Sequence, residues 1–148
     1  MYRYRNGYPE VFLVHPGGPF WAKKDLGSWS IPKGEYKEDE DPQEAALREF
    51  QEETGFAVNR PLSELGVVKQ AGGKIVSAWC FEGDADPEYL VSNTFQMEWP
   101  PRSGRIGEFP EVDRGGWFSM AAAQERILKC QAPFIDMLDR LLNHQRHV

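Results

Sequence analysis

Cysteine is scarce in this chain: of 148 residues only Cys80 and Cys130 carry sulfhydryls, far apart and each among apolar neighbours. Two cysteines are too few for a disulfide framework or a sulfur-ligated zinc site, so both are expected as buried free thiols in a reducing cytoplasm. Long apolar runs are missing as well. No stretch approaches the roughly 20 residues that cross a bilayer. The opening segment Met1-Tyr2-Arg3-Tyr4-Arg5-Asn6-Gly7 lacks the apolar core of a signal peptide. The chain is therefore expected to work without a membrane. Positive charge is not in excess either. A formal net charge of -6 argues against a general nucleic-acid binder, which carries a basic face. An anionic small molecule remains admissible as substrate if a bound cation offsets its charge locally. Repeats, low-complexity tracts and long linkers are also lacking, so residues 1–148 are expected to form one domain, as a monomer or a dimer.

What is present suits a packed globular core: 41% hydrophobic and 13% aromatic residues with a mean hydropathy of -0.58. Val11-Phe12-Leu13-Val14 is a short apolar run closed by His15-Pro16-Gly17-Gly18, the pattern of a buried strand and a turn. Short strands are expected over residues 29–31 and 116–118, with further strand signal in 56–69 and 94–99. Residues 74–81 read most clearly as a strand, following the turn Ala71-Gly72-Gly73. Helices are expected over about 42–53, 119–129 and 133–143. The last has Phe134, Met137, Leu138, Leu141 and Leu142 at helical spacing and Pro133 at its first position. The sum is an α/β or α+β domain, helices packed on a mixed sheet.

The helix beginning near Pro42 carries the chemistry. Asp41 suits the N-cap, Pro42 the first turn, and Glu44 the third position of a capping box. Gly55 suits a left-handed C-terminal end. At 100° per residue, Ala46, Leu47 and Phe50 form a packing stripe, while Glu49, Glu52 and Glu53 gather on the adjacent arc. These carboxylates repel one another, and they lie where the helix dipole disfavours negative charge. Each penalty is only some tenths of a kcal/mol at an exposed site, yet all have one sign. A solvated acidic face is the ordinary explanation of such an arc. A pocket for a hard divalent cation with oxygen ligands is the sharper one.

The flanking spacing decides between them. From Gly34 the chain reads glycine, five residues, Glu40, seven residues, then Arg48-Glu49-Phe50-Gln51-Glu52-Glu53-Thr54-Gly55-Phe56. A chance match to this pattern is roughly one in ten million for ordinary residue frequencies, too rare to leave to coincidence. The segment resembles the complete Nudix box of MutT-type pyrophosphohydrolases. Its flanks, Trp29-Ser30-Ile31-Pro32-Lys33 and residues 111–118, are similar to that family too. The one departure is aromatic Phe50 where an aliphatic side chain is usual. The resemblance implies an α/β/α sandwich and water-driven cleavage of a nucleoside diphosphate linked to another group. It implies Mg²⁺ as cofactor, with Mn²⁺ as a substitute. By position, Glu49, Glu52 and Glu53 would be ligands, with the Lys33 carbonyl a further one. Arg48 would orient a neighbouring glutamate, Glu40 would steady the loop or the metal edge, and Gly34 and Gly55 would serve backbone geometry.

The proton acceptor stays open. Family members use a box glutamate, here Glu49, or a glutamate in a later loop, for which Glu111 is the candidate and Glu98 and Glu108 are rivals. Lys23, Lys24, Lys33, Arg102 and Arg105 could meet phosphates. Trp21, Tyr36, Trp79, Phe81 and Trp99 could stack on a base, although most aromatics on strands are core. His15, His144 and His147 carry little signal. A nucleoside triphosphate or dinucleoside polyphosphate is the expected substrate. The 5′ end of an RNA and a non-catalytic nucleotide sensor or interaction module are the alternatives.

Overall fold

The computed structural model describes residues 1–33 and 39–146. Strand β1 (Tyr2–Arg5) turns into β2 (Tyr8–Pro16), and β7 (Val112–Ser119) pairs with the other edge of β2 to give the order β1-β2-β7. Side chains alternate across a strand, and β2 is buried on both of its faces. Val11 and Leu13 pack with Trp29, Cys80, Ile127 and Ile135, whereas Phe12 and Val14 pack with Val112, Phe56, Leu90 and Trp117. That explains why residues 11–14 are uniformly apolar rather than alternating. Helices α2 (Met120–Arg126) and α3 (Ala132–Arg146) supply the first face through Ala123, Ile135, Leu138 and Leu142. Helix α1 (Pro42–Thr54) leads into the second face, where the Phe56 ring lies 5.7 Å from that of Phe12.

Two hairpins form separate two-stranded sheets, β3 (Ser63–Lys69) with β4 (Ile75–Cys80) and β5 (Thr94–Glu98) with β6 (Ile106–Pro110). Every ladder between these strands is antiparallel. The mixed character of the sheet is confined to the parallel bridges Tyr2↔Glu82 and Trp29↔Ile127. The α+β expectation therefore holds.

Several local expectations are corrected. Residues 29–31 contribute bridges to Val14 and Ile127 instead of a strand. Helix α2 stops at Arg126, short of residue 129. Ile127 turns extended to bury its side chain and bridge Trp29, and the Leu128 amide donates to the Trp29 carbonyl. Helix α3 runs longer than expected, over Ala132–Arg146. Strands β1 and β6 were not anticipated. Of the two free thiols, Cys80 is buried but Cys130 is exposed, in the turn between α2 and α3.

Candidate active site

Local chemistry sets α1 at both ends. The Asp41 carboxylate accepts from the Glu44 amide at 3.2 Å, and Pro42 occupies the first turn. The capping box is not reciprocal, because the Glu44 carboxylate faces Arg60 at 3.4 Å instead. At the far end Gly55 adopts φ 74° and its amide donates to the Gln51 carbonyl. A side chain there would face two obstacles: the left-handed backbone, and the Val91 carbonyl oxygen 3.0 Å from the site of a Cβ. Val91 comes this close because its amide donates to the Thr54 carbonyl. Two residues on, the Asn93 amide donates to the Glu52 carbonyl. Segment 91–93 thus satisfies carbonyls that the helix end leaves open.

The acidic arc divides into two flanks. On one, the Arg48 guanidinium reaches Glu49 and Glu40 at 2.8 Å each and Glu52 at 3.3 Å. These charge-assisted contacts raise the Arg48 pKa, chiefly through its hydrogen bond to Glu40. On the other flank stands Glu53. Its carboxylate accepts one hydrogen bond, from the Lys33 amide at 3.1 Å, and no other partner is found among the described residues. Burial pushes the Glu53 pKa up to about 7. The Lys33 amide and the Lys33 charge oppose the shift, and the nearby charges of Glu49 and Glu111 reinforce it. Glu49 is also raised, mainly by desolvation against the pull of Arg48.

The residues expected at the site do not all converge. Glu40, Arg48, Glu49, Glu52, Glu53, the Lys33 backbone and Glu111 come together, and Gly55 ends the helix that carries them. Gly34 and Tyr36 lie outside the described residues, as does His147. Glu98 pairs with Ile106 at the outer end of the β5–β6 hairpin, and Glu108 is held by the Thr94 hydroxyl on an exposed face. Glu111 is at the hairpin's base, its amide donating to the Asn93 carbonyl, and its charge acts on Glu53. Phe81 is core, its ring 5.3 Å from that of Phe50. Trp79 lines a cavity of about 610 Å³ with Ile31, Lys33, Ala46, Phe50 and Lys74, adjoining the acidic helix. Trp21, Lys23, Lys24, Trp99, Arg102 and Arg105 lie elsewhere, on the hairpin and on the loop after β2.

The fit of a cation follows from the donor set. Glu49, Glu53 and Glu111 offer hard carboxylate oxygens, and the charge of Glu53 is desolvated beside like charges with a single amide donor. That environment suits a divalent ion. As they stand, no three acidic, His or Cys side chains among the described residues converge to ligand geometry. Arg48 draws Glu49 and Glu52 toward itself.

Sequence reasoning missed His15. It is fully buried, with Nδ1 2.8 Å from Asp113 Oδ1 and Nε2 2.6 Å from the Lys24 carbonyl oxygen. The His15-Pro16-Gly17-Gly18 turn was the available signal: the Gly17 amide donates to the Glu111 carbonyl, and a Cβ on Gly17 would collide with the Pro110 oxygen. Thr54 was also passed over, although its buried hydroxyl joins the Phe50 carbonyl to the Phe56 amide.

Comparison with known proteins extends over the same residues. The NUDIX domain family matches residues 2–138. The RNA pyrophosphohydrolase of Hahella chejuensis (strain KCTC 2396) is 45% identical over 48 residues, 31% of this chain and 30% of that relative. The matched region thus spans less than a third of that relative. Among solved structures, a C. elegans Ap4A hydrolase in a binary complex superposes with a TM-score of 0.64 at 18% identity, covering 97% of this chain and 94% of that one. A mutT/nudix family protein from Listeria innocua gives 0.59 at 20% identity, covering 97% and 88%. The NUDIX domain of Shewanella oneidensis NrtR complexed with ADP ribose gives 0.57 at 21% identity, covering 95% and 82%. At such identities the likeness is one of fold. No helix among the described residues is long and apolar enough to cross a membrane.

Proposed function

The chain belongs to the Nudix family of pyrophosphohydrolases, and from that premise we propose that it cleaves a phosphoanhydride bond in a nucleoside triphosphate or dinucleoside polyphosphate. Members of the family generally need a divalent metal such as Mg²⁺. Glu49, Glu52 and Glu53 would hold it, with the Lys33 backbone and Glu111 at its edge. Glu52 would have to leave Arg48 to do so. The single observation that carries this reading is Glu53: a desolvated carboxylate with one amide donor among the described residues and two like-charged neighbours. Such a charge is costly without a counter-ion.

When bound, the cation supplies Lewis acidity and offsets the charge of the phosphates. The chain's own residues orient and move protons. Arg48 fixes Glu49 in position. Water attacks phosphorus, the bond to the bridging oxygen breaks, and a carboxylate takes the water's proton. Glu111 is our choice for that acceptor, with Glu49 second, because the Glu111 charge acts on Glu53 from a separate element. The cavity beside Lys33 and Trp79 is suited to the nucleoside by its size and mostly apolar walls. Magnesium (or manganese in its place), a nucleotide substrate and a cytoplasmic setting complete the proposal.

A panel of nucleoside triphosphates, dinucleoside polyphosphates, ADP-sugars and 5′-triphosphorylated RNA, assayed with Mg²⁺ for released phosphate or diphosphate, tests it. Cleavage of a nucleotide arm is the expected result. Folded protein that binds Mg²⁺ and cleaves nothing would point instead to a nucleotide sensor.

A further inference from the structure

Two segments distant in sequence, residues 20–24 and 99–105, meet through Phe20 and Trp99 at one corner of the fold, and the corner is built outward from the acidic site. Segment 91–93 is fastened to the end of α1 and continues directly into β5. Strand β6 returns to Glu111, whose amide donates to the Asn93 carbonyl. Both strands of the hairpin therefore rise from the acidic end of α1. At five residues per strand its tip stands roughly 17 Å from that base.

The loop after β2 follows the same path. It leaves the Glu111 carbonyl at Gly17 and brings the Phe20 ring edge-on to Trp99, 5.3 Å between centroids. It sets the Lys24 ammonium 5.0 Å from the Trp21 ring and closes where the Lys24 carbonyl meets buried His15. Phe20 is 61% exposed. The Trp99 amide donates to the Arg105 carbonyl, so the turn carrying Arg102 and Arg105 begins and ends beside Trp99.

Four of the chain's basic side chains, Lys23, Lys24, Arg102 and Arg105, belong to these two segments. Arg3, Arg48, Arg60 and Arg126 each face a carboxylate. Among the described residues, the side chains of Lys23, Arg102 and Arg105 make no ion pair or hydrogen bond. In a chain of net charge -6, unpaired cations on segments that also carry exposed Phe20 and half-buried Trp21 and Trp99 are complementary to a phosphate joined to a base. A mononucleotide keeps its base within one ribose of its first phosphate, and the corner lies a hairpin's length beyond the acidic centre.

We propose that Phe20, Trp99, Lys23, Arg102 and Arg105 form a distal subsite that holds the second nucleotide of a dinucleoside polyphosphate, base against the aromatic ledge and phosphate against the cations. The assignment rests on the reading of the acidic helix as a phosphoanhydride hydrolase.

The test compares wild type with the exposed double variant Arg102→Ala/Arg105→Ala and with Phe20→Ala, using Arg140→Ala on α3 as control. Equilibrium binding of diadenosine tetraphosphate, ATP and a 5′-triphosphorylated RNA oligonucleotide is read by calorimetry in EDTA, where no turnover occurs, and KM and kcat are read with Mg²⁺. Diadenosine tetraphosphate is expected to lose about tenfold in affinity in the double variant and to show the loss in KM more than in kcat. ATP loses at least about fivefold less, and Phe20→Ala gives a smaller loss of the same selectivity. Unchanged binding of diadenosine tetraphosphate, or equal losses for ATP, would overturn the subsite. Tighter binding of the RNA, with the larger loss on that arm, would overturn it in favour of a polynucleotide surface. The EDTA arm reads the corner even if no substrate is cleaved, so failure of the catalytic reading shows separately.

Discussion

The two flanks of the acidic helix carry the same side chain and treat it oppositely. Around Arg48, three glutamates share one guanidinium that is fixed by contacts of 2.8 to 3.3 Å, so each carboxylate there has a cation in direct contact. Around Glu53, a desolvated carboxylate feels the charges of Glu49 and Glu111, with the Lys33 amide in contact and the Lys33 ammonium acting from farther off. The first flank has a built-in cation, although one guanidinium offsets only one of its three carboxylates. The second has no cation in contact among the described residues. A helix whose acidic residues served solubility alone would not need one flank desolvated.

The difference between the flanks predicts unequal effects of removing charge. Glu53→Gln is expected to cut turnover by roughly two to four orders of magnitude while the fold persists. Glu40→Gln removes a carboxylate of the compensated flank and should cost less than about tenfold. Steady-state kinetics on both variants would break the comparison if the two losses were alike. Next in size is Glu111→Gln, expected to lower kcat by roughly a hundredfold. Glu98→Gln and Glu108→Gln, out along the β5–β6 hairpin, should stay within about twofold. A loss concentrated in Glu98 or Glu108 would move the proton acceptor off the Glu53 flank.

Stability sharpens the same contrast without any substrate. A carboxyl whose folded pKa is raised favours the folded state while protonated, and that contribution fades as pH climbs through the folded value. For Glu53 the window runs from about 4.5 to about 7, and the loss is on the order of 3 kcal/mol in metal-free protein. Thermal unfolding in EDTA should show Tm falling from pH 5 to pH 8, and Glu53→Gln should flatten the fall. An unchanged slope in the variant would mean that another group titrates. The smallest effect concerns geometry. Gly55→Ala places a side chain at φ 74° against the Val91 carbonyl and should destabilise by about 1 to 2 kcal/mol in denaturant titration.

The sequence was most legible where local chemistry decides the outcome. Asp41, Pro42 and Gly55 bound α1 to within one residue of expectation because capping, proline and left-handed glycine act through the backbone itself. Legibility failed where tertiary partners decide. Tyr2–Arg5 holds as a strand because β2 offers it an edge, although Tyr-Arg alternation gives little apolar signal. Strand β6 holds by pairing with β5 more than by burial, alternating half-buried and exposed residues. Ile127 leaves its helical register to reach the core beside Trp29. His15 looked uninformative because its partners, Asp113 and the Lys24 carbonyl, come from different segments. At the site, the cluster on α1 was readable from spacing, and Glu111 was singled out by position. That Arg48 would divide the cluster could not be read, because it depends on which rotamers the surrounding packing leaves open.

The most direct measurement is a calorimetric titration of Mg²⁺ into metal-free protein at pH 7.5, wild type beside Glu53→Gln and Glu40→Gln. The account predicts saturable binding to wild type and to Glu40→Gln, and an affinity at least about tenfold weaker in Glu53→Gln. Equal binding to all three proteins would contradict it.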